Sequence, residues 1–255
     1  MTPRIRHPYL DHPGPIAFAH RGGAADGLEN TALQFRRAVE AGYRYLETDV
    51  HATADGRLVA FHDTTLDRVT DGAGRIADLP LTEVRHARVA GREPVPLFEE
   101  LLEAFPEARW NVDVKAEPAL LPLLDLIERT DSWDRVCVGS FSEARLVRAQ
   151  RLAGPRLATS YGTRGVLGLR LRSWGLPSAV RRSAVAAQVP EVQSGIQVVD
   201  PRFLRTAHAL GLQVHVWTVN EPERMHRLLD LGVDGIMTDH IDTLRKVMED
   251  RGIWV

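Results

Sequence analysis

The chain has 255 residues, 44% of them apolar and 26% charged, which describes an ordinary soluble globular protein long enough for one large domain with a real core. Its net charge of −2 provides no global field for nucleic acid or an anionic membrane. A single cysteine, Cys137, excludes an intramolecular disulfide and a thiolate zinc cluster, and reads as a small buried core residue.

The first fifteen residues, "MTPRIRHPYLDHPGP", carry charge and prolines but no apolar h-region, so a secretory signal is not expected. No run approaches the length of a membrane span, and the simplest location is the cytoplasm, with no stable membrane anchor. "IAFAH" (16–20) then reads as a strand. It precedes a helix that starts at an Asn30 or Thr31 cap and stops near Gly42. "YRYLETDVH" follows, and after an Asp55-Gly56 turn comes "RLVAF". "RWNVDVK" (109–115) precedes an apolar helix around 119–130, and "RVCVGS" (135–140) precedes a helix after Ser142. "RLATSYG" (156–162) leads into an Arg- and Leu-rich stretch, for which a solvated helix face is expected. "AVAAQV" (184–189) is another strand candidate. "LQVHVWTVN" (212–220) and "DGIMTD" (234–239) each lead into a helix, the first opened by Pro222.

Strands alternating with helices imply parallel βαβ units. About eight of them in this length favour a (β/α)8 TIM barrel, a single α/β domain over residues 1–255. Nine strand-like runs are present, so one is extra, and "RLVAF" and "AVAAQV" are the suspects. Residues 64–96 break the rhythm with many turn residues and read as a small functional insertion, a lid or binding loop.

In a barrel the carboxyl ends of the strands form the active face. Those ends carry His20 and Arg21; Glu47, Asp49 and His51; His62 and Asp63; Asp113 and Lys115; His215 and Trp217; and Asp239. Strand alternation puts Glu47 with Asp49, and Asn111 with Asp113 and Lys115. If Asp55 and Gly56 form a two-residue turn, Asp49 pairs with His62 and both point to one face; a one-residue slip sends His62 to the other. Two or three carboxylates without a thiol suit Mg2+ or Ca2+. Arg21 and Lys115 suit a phosphate. His20 and His62 suit general acid and base work near neutrality. Together they suggest phosphodiester hydrolysis. His51 is expected to be a supporting or loop residue, Asp63 a turn cap, and Asp239 structural; His215 is not expected to touch substrate.

These stretches resemble glycerophosphodiester phosphodiesterases: "AHRGG" (19–23), "LENT" (28–31), "LETDVHATADGRLVAFHD" (46–63), "LDRVTDGAGRIADLPLTEV" (66–84), "NVDVK" (111–115), "SF" (140–141), "VHVWTVN" (214–220) and "DGIMTD" (234–239). The resemblance implies one divalent cation, Mg2+ or Ca2+, on Glu47, Asp49 and Asp113. It implies His20 and His62 as the acid/base pair, and Arg21, Glu29, Asn30, Lys115 and Trp217 as the substrate-binding set. The implied substrate is a small glycerophosphodiester, cleaved to an alcohol and sn-glycerol 3-phosphate. A lysophospholipase D-like enzyme is the alternative, favoured by an exposed apolar rim on the insert or on 163–175. A Schiff-base lyase on Lys115 fits poorly, and a non-catalytic phosphate-binding barrel would bind without turnover. A homodimer is compatible with the sequence. Two departures stand out: position 113 is Asp where the family usually has Glu, and "TDHID" lacks the usual proline.

Overall fold

The computed structural model describes residues 7–178 and 184–255; the first six residues of the stretch read above against a secretory signal lie outside it. Eight parallel strands form the central sheet. These are β1 (Ile16–His20), β2 (Tyr45–Ala52), β4 (Arg109–Val114), β5 (Val136–Gly139), β6 (Ala158–Thr159), β7 (Ala186–Pro190), β8 (Gln213–Trp217) and β9 (Gly235–Thr238). The order is β6-β5-β4-β2-β1-β9-β8-β7, and β3 (Leu58–Ala60) pairs antiparallel with β2 alone. A bridge between Ser160 and Ala186 joins β6 to β7 and closes the barrel. "AVAAQV" is therefore a true barrel strand, and only "RLVAF" is the extra run. "AVAAQV" looked dispensable because five of its six residues are apolar with no alternation. That pattern belongs to a strand covered on both faces.

Eight helices follow the strands among the described residues: α1 (Ala32–Glu40), α2 (Phe98–Ala104), α3 (Leu120–Arg129), α4 (Glu143–Ala153), α5 (Thr163–Ser173), α6 (Pro201–Ala209), α7 (Pro222–Leu231) and α8 (Ile241–Asp250). Their starts are set locally. Thr31 caps α1 by accepting from Gln34 N, Ser142 caps α4 by accepting from Arg145 N, and Asp200 caps α6 ahead of Pro201. None of them is long and apolar enough to cross a membrane.

Alternation along each strand sorts side chains into two cores. Leu46 and Val50 of β2, and Trp110, Val112 and Val114 of β4, point outward into the strand–helix layer. Ile16, Phe18, Tyr45, Cys137, Ala158, Ala186 and Met237 fill the barrel interior. Tyr9 and Leu10 join this interior core, and Tyr45 Oη donates to the Tyr9 carbonyl. Residues 64–96 contribute to a third cluster, with Leu66, Ile76, Val84, Ala87 and Val89 packed on Val59 and Phe61.

Candidate active site

Parallel register decides which strand-end groups meet. His20 of β1 lies opposite Glu47 of β2, and Asp49 of β2 lies opposite Asp113 of β4. Opposed residues on neighbouring strands point to the same face, here the barrel mouth. His20, Arg21, Glu47, Asp49, His62, Asp113, Lys115 and Trp217 all line one cavity of about 560 Å3 there. Glu29 and Asn30 do not line it; they stand behind Arg21 and Asp49. Glu29 accepts from Arg21 at 3.1 Å, and the Asn30 amide donates to Asp49 Oδ2 at 3.2 Å.

The hairpin register departs from expectation. Val50 pairs with Ala60 and Ala52 with Leu58, so Asp49 faces Phe61, whose N–H donates to the Asp49 carbonyl. The turn has three residues, 54–56, because Gly56 adopts φ +76° and Thr53 N donates to the Arg57 carbonyl. A one-residue slip was expected to turn His62 away. It does not, because the β3 ladder ends at Ala60 and His62 enters the cavity from irregular backbone. His51 Nε2 hydrogen-bonds the His62 carbonyl at 3.1 Å, which steadies this entry.

Each histidine leans on a carboxylate. His20 Nδ1 donates to Asp239 Oδ1 at 2.7 Å, and its Nε2 lies 3.7 Å from Glu47 Oε2. Burial works against the His20 imidazolium, but Glu47 and Asp239 outweigh it and raise the pKa. His62 Nδ1 donates to Asp63 Oδ1 at 2.6 Å. Arg68, from the 64–96 segment, clamps Asp63 through Nε at 2.5 Å and Glu29 through both terminal nitrogens, at 3.0 and 2.7 Å. The Arg68 bonds, then His62, hold the Asp63 carboxyl down to about 2. Asp63 thus bonds side chains rather than capping a turn, and Asp239 bonds His20. Arg68 drew no attention in sequence, although it sits in "LDRVTDG", within the stretch that carries the resemblance.

The cations and acids interlock. Lys115 Nζ lies 2.7 Å from both Asp49 Oδ1 and Asp113 Oδ2. Arg21 Nε is 3.2 Å from Asp49 Oδ2, close enough for an ion pair but poorly angled for a hydrogen bond. Despite burial, these cations hold Asp49 below its usual range. Glu47 fares differently: burial first, then Asp49 beside it, pushes its carboxyl up to about 7. A buried acid short of positive charge suits an oxygen-donor cation site. Glu47, Asp49 and Asp113 therefore fit Mg2+ or Ca2+ in donor type. In donor placement they do not converge: among the described residues no three such groups surround one point, since the Lys115 ammonium sits between the two aspartates.

The rest of the cavity is largely apolar, with Thr163, Gln188 and Gln193 among its polar members. Phe141, Tyr161, Val166, Leu167, Trp174, Ile196 and Trp217 line it, from the loops after β5 to β8 and from α5. The 163–174 stretch is accordingly one wall of the cavity rather than a plain solvated face. Exposed Leu167 and Trp174 give it an apolar rim, while buried Arg170 bonds Asp200 at 2.6 Å. His215 is fully buried and lies outside this lining.

Residues 20–243 match the model of the glycerophosphoryl diester phosphodiesterase family. The chain belongs to that family. It is 42% identical over 255 residues to "Probable glycerophosphodiester phosphodiesterase 2" of Mycobacterium tuberculosis, covering 96% of this chain and 95% of that one. A crystal structure from Silicibacter pomeroyi, provisionally named for the same activity, superposes with TM-score 0.82 at 25% identity, over 98% of this chain and all of the other. A phosphodiesterase of Oleispira antarctica, seen in complex with the product sn-glycerol-3-phosphate, shares the fold with TM-score 0.77 at 22% identity, over 92% and 97% of the two chains. These relatives make the chain a phosphoric diester hydrolase, a glycerophosphodiester phosphodiesterase by class. The short arm of Asp113 meets Lys115 at the cavity wall.

Proposed function

We propose that the chain is a metal-dependent enzyme that hydrolyses glycerophosphodiesters to an alcohol and sn-glycerol 3-phosphate. The carrying observation is the convergence of two histidines, two cations and three carboxylates on one cavity. Arg21 and Lys115 bind the phosphate oxygens, and their carboxylate partners hold them in place before substrate arrives. One histidine takes a proton from the attacking oxygen as its bond to phosphorus forms. The other gives a proton to the alcohol oxygen as the phosphorus–oxygen bond breaks. Trp217, half-buried against Phe141 with ring centroids 5.9 Å apart, forms an apolar wall for the glycerol or the leaving group. Glu47, Asp49 and Asp113 would hold one Mg2+ or Ca2+ once the Lys115 ammonium moves off the two aspartates, and the cation would supply Lewis-acid polarisation of the phosphoryl group. The product held by the Oleispira antarctica phosphodiesterase is the product proposed here.

The test is hydrolysis of glycerophosphocholine with Mg2+ or Ca2+, before and after EDTA. Activity that ignores EDTA removes the cation from the proposal. Solvent oxygen enters the sn-glycerol 3-phosphate by direct water attack and by opening of a cyclic phosphate alike, so the appearance of a glycerol cyclic phosphate during turnover is what separates attack by the glycerol 2-hydroxyl from direct water attack.

The apolar rim favours a second substrate, a monoacylated glycerophosphodiester. A cavity of about 560 Å3 lies within the range of drug-sized sites, and away from the charged groups its lining is mostly apolar. Each buried methylene contributes ~0.8 kcal/mol, about fourfold in binding. A series of lysophosphatidylcholines should then show kcat/KM rising with chain length until the apolar side is full. A flat series rejects the chain as a substrate element.

A further inference from the structure

The geometry points to Asp239 as a positioning residue that fixes the tautomer and aim of His20, with Asn220 holding Asp239 in turn. Asp239 directly follows β9, and His20 ends the adjacent β1. Their contact, Nδ1 to Oδ1 at 2.7 Å, spans the barrel's chain-end seam, 219 residues apart in sequence. Asp239 carries a proton less readily than a free aspartate: burial opposes the charge, but the His20 bond and Asn220 overcome it. An ionised carboxylate only accepts, so the imidazole hydrogen at this contact belongs to Nδ1. Nε2 is then the nitrogen on the Glu47 side, where the reacting groups meet.

Asp239 is itself held by Asn220 at two points. Asn220 Nδ2 donates to its second oxygen at 3.0 Å. Asn220 Oδ1 accepts from Asp239 N at 3.0 Å and from Thr238 Oγ1 at 3.1 Å, so the amide cannot flip without losing all three bonds. Asn220 closes the "VHVWTVN" run after β8, so β8 anchors the acid of β9 that anchors the histidine of β1. A carboxylate that orients an imidazole without touching the reacting atoms is a known way of selecting one tautomer. His62 has an analogous partner, Asp63, but that one is held by half-exposed Arg68 of the 64–96 segment rather than by the barrel.

The inference rests on His20 being one of the two proton carriers, and its test separates the two ideas. In 15N-labelled protein the His20 nitrogens report the tautomer directly, without turnover. Protonated Nδ1 and unprotonated Nε2 at alkaline pH are expected, and Asp239→Asn should convert this to a mixture; an Nε2–H tautomer in the wild type overturns the inference whatever the activity does. In turnover of glycerophosphocholine, Asp239→Asn should lower kcat on the order of 10²-fold or more while KM moves less than about threefold. Added to His20→Ala, it should cost nothing further, because Asp239 acts only through His20. An additional tenfold loss in that background, or a near-normal kcat in Asp239→Asn alone, overturns it. Full activity in His20→Ala would instead sink the acid/base reading and leave the tautomer result standing. Should Asp239→Asn fail to fold, Asn220→Ala frees the same carboxylate and should shift the tautomer in the same direction; an unchanged His20 tautomer there counts against the inference.

Discussion

The two sides of the barrel mouth are built on one scaffold and behave oppositely. On the side of β1, β2, β4 and β9, the charged groups come from strand ends or the residues right after them, and each is tied to a neighbour at hydrogen-bond or ion-pair distance. On the side of β5 to β8, loops and α5 supply apolar groups, and Phe141, Leu167, Trp174 and Ile196 remain exposed. Within the first set, parallel register fixes His20, Glu47, Asp49 and Asp113 relative to one another, and proton transfer depends on such fixed geometry. The second set shapes space, which tolerates more play. The chemistry thus sits where backbone hydrogen bonds dictate position, and the selectivity where loops do.

The comparison breaks if the two sides fail to differ under mutation. The largest expected effect is on the charged side: His20→Ala or His62→Ala should lower kcat for glycerophosphocholine on the order of 10²–10⁴-fold. A loss below tenfold in either would make that histidine a bystander.

Next comes the floor beneath the mouth. His215 is fully buried against Phe18, and burial lowers its pKa from 6.5 to about 4. The folded protein therefore favours neutral His215, while the unfolded chain protonates it more readily. The stabilisation is complete above pH 6.5 and is lost as pH falls toward 4, with a full span of roughly 3 kcal/mol. Urea unfolding at pH 7 and at pH 4.5 should show most of this loss, and His215→Gln should flatten it. Equal slopes in both proteins would assign the acid sensitivity elsewhere.

A smaller effect is expected at Arg68, whose guanidinium is about half exposed. Arg68→Ala removes the clamp on Asp63 and Glu29 together, so kcat should fall about tenfold, in keeping with charged hydrogen bonds of about 1.5–3 kcal/mol discounted for exposure. An unchanged kcat would detach the 64–96 segment from catalysis. The smallest effect belongs to the apolar side: Phe141→Ala should change kcat/KM for glycerophosphocholine by less than about threefold, while costing a long-chain lysophospholipid about tenfold or more. Equal losses on both substrates would erase the distinction between the sides.

Residue types and strand alternation in the sequence alone determined the barrel, the groups at its mouth and the class of chemistry. A strand's period of two makes Glu47 and Asp49 neighbours whatever surrounds them, and βα alternation leaves few alternatives to a closed parallel sheet. The Asp-Gly pair announced a hairpin, but not that Gly56 would close a three-residue turn and shift the register by one. His62 reaches the cavity all the same, because its strand stops two residues earlier. Asp239 looked inert because its partner lies across the barrel seam, and α5 looked like a solvated face because its pattern says nothing of which loop it will face. Only the tertiary structure decided these, since each depends on where the chain returns to itself, and local periodicity carries no record of that.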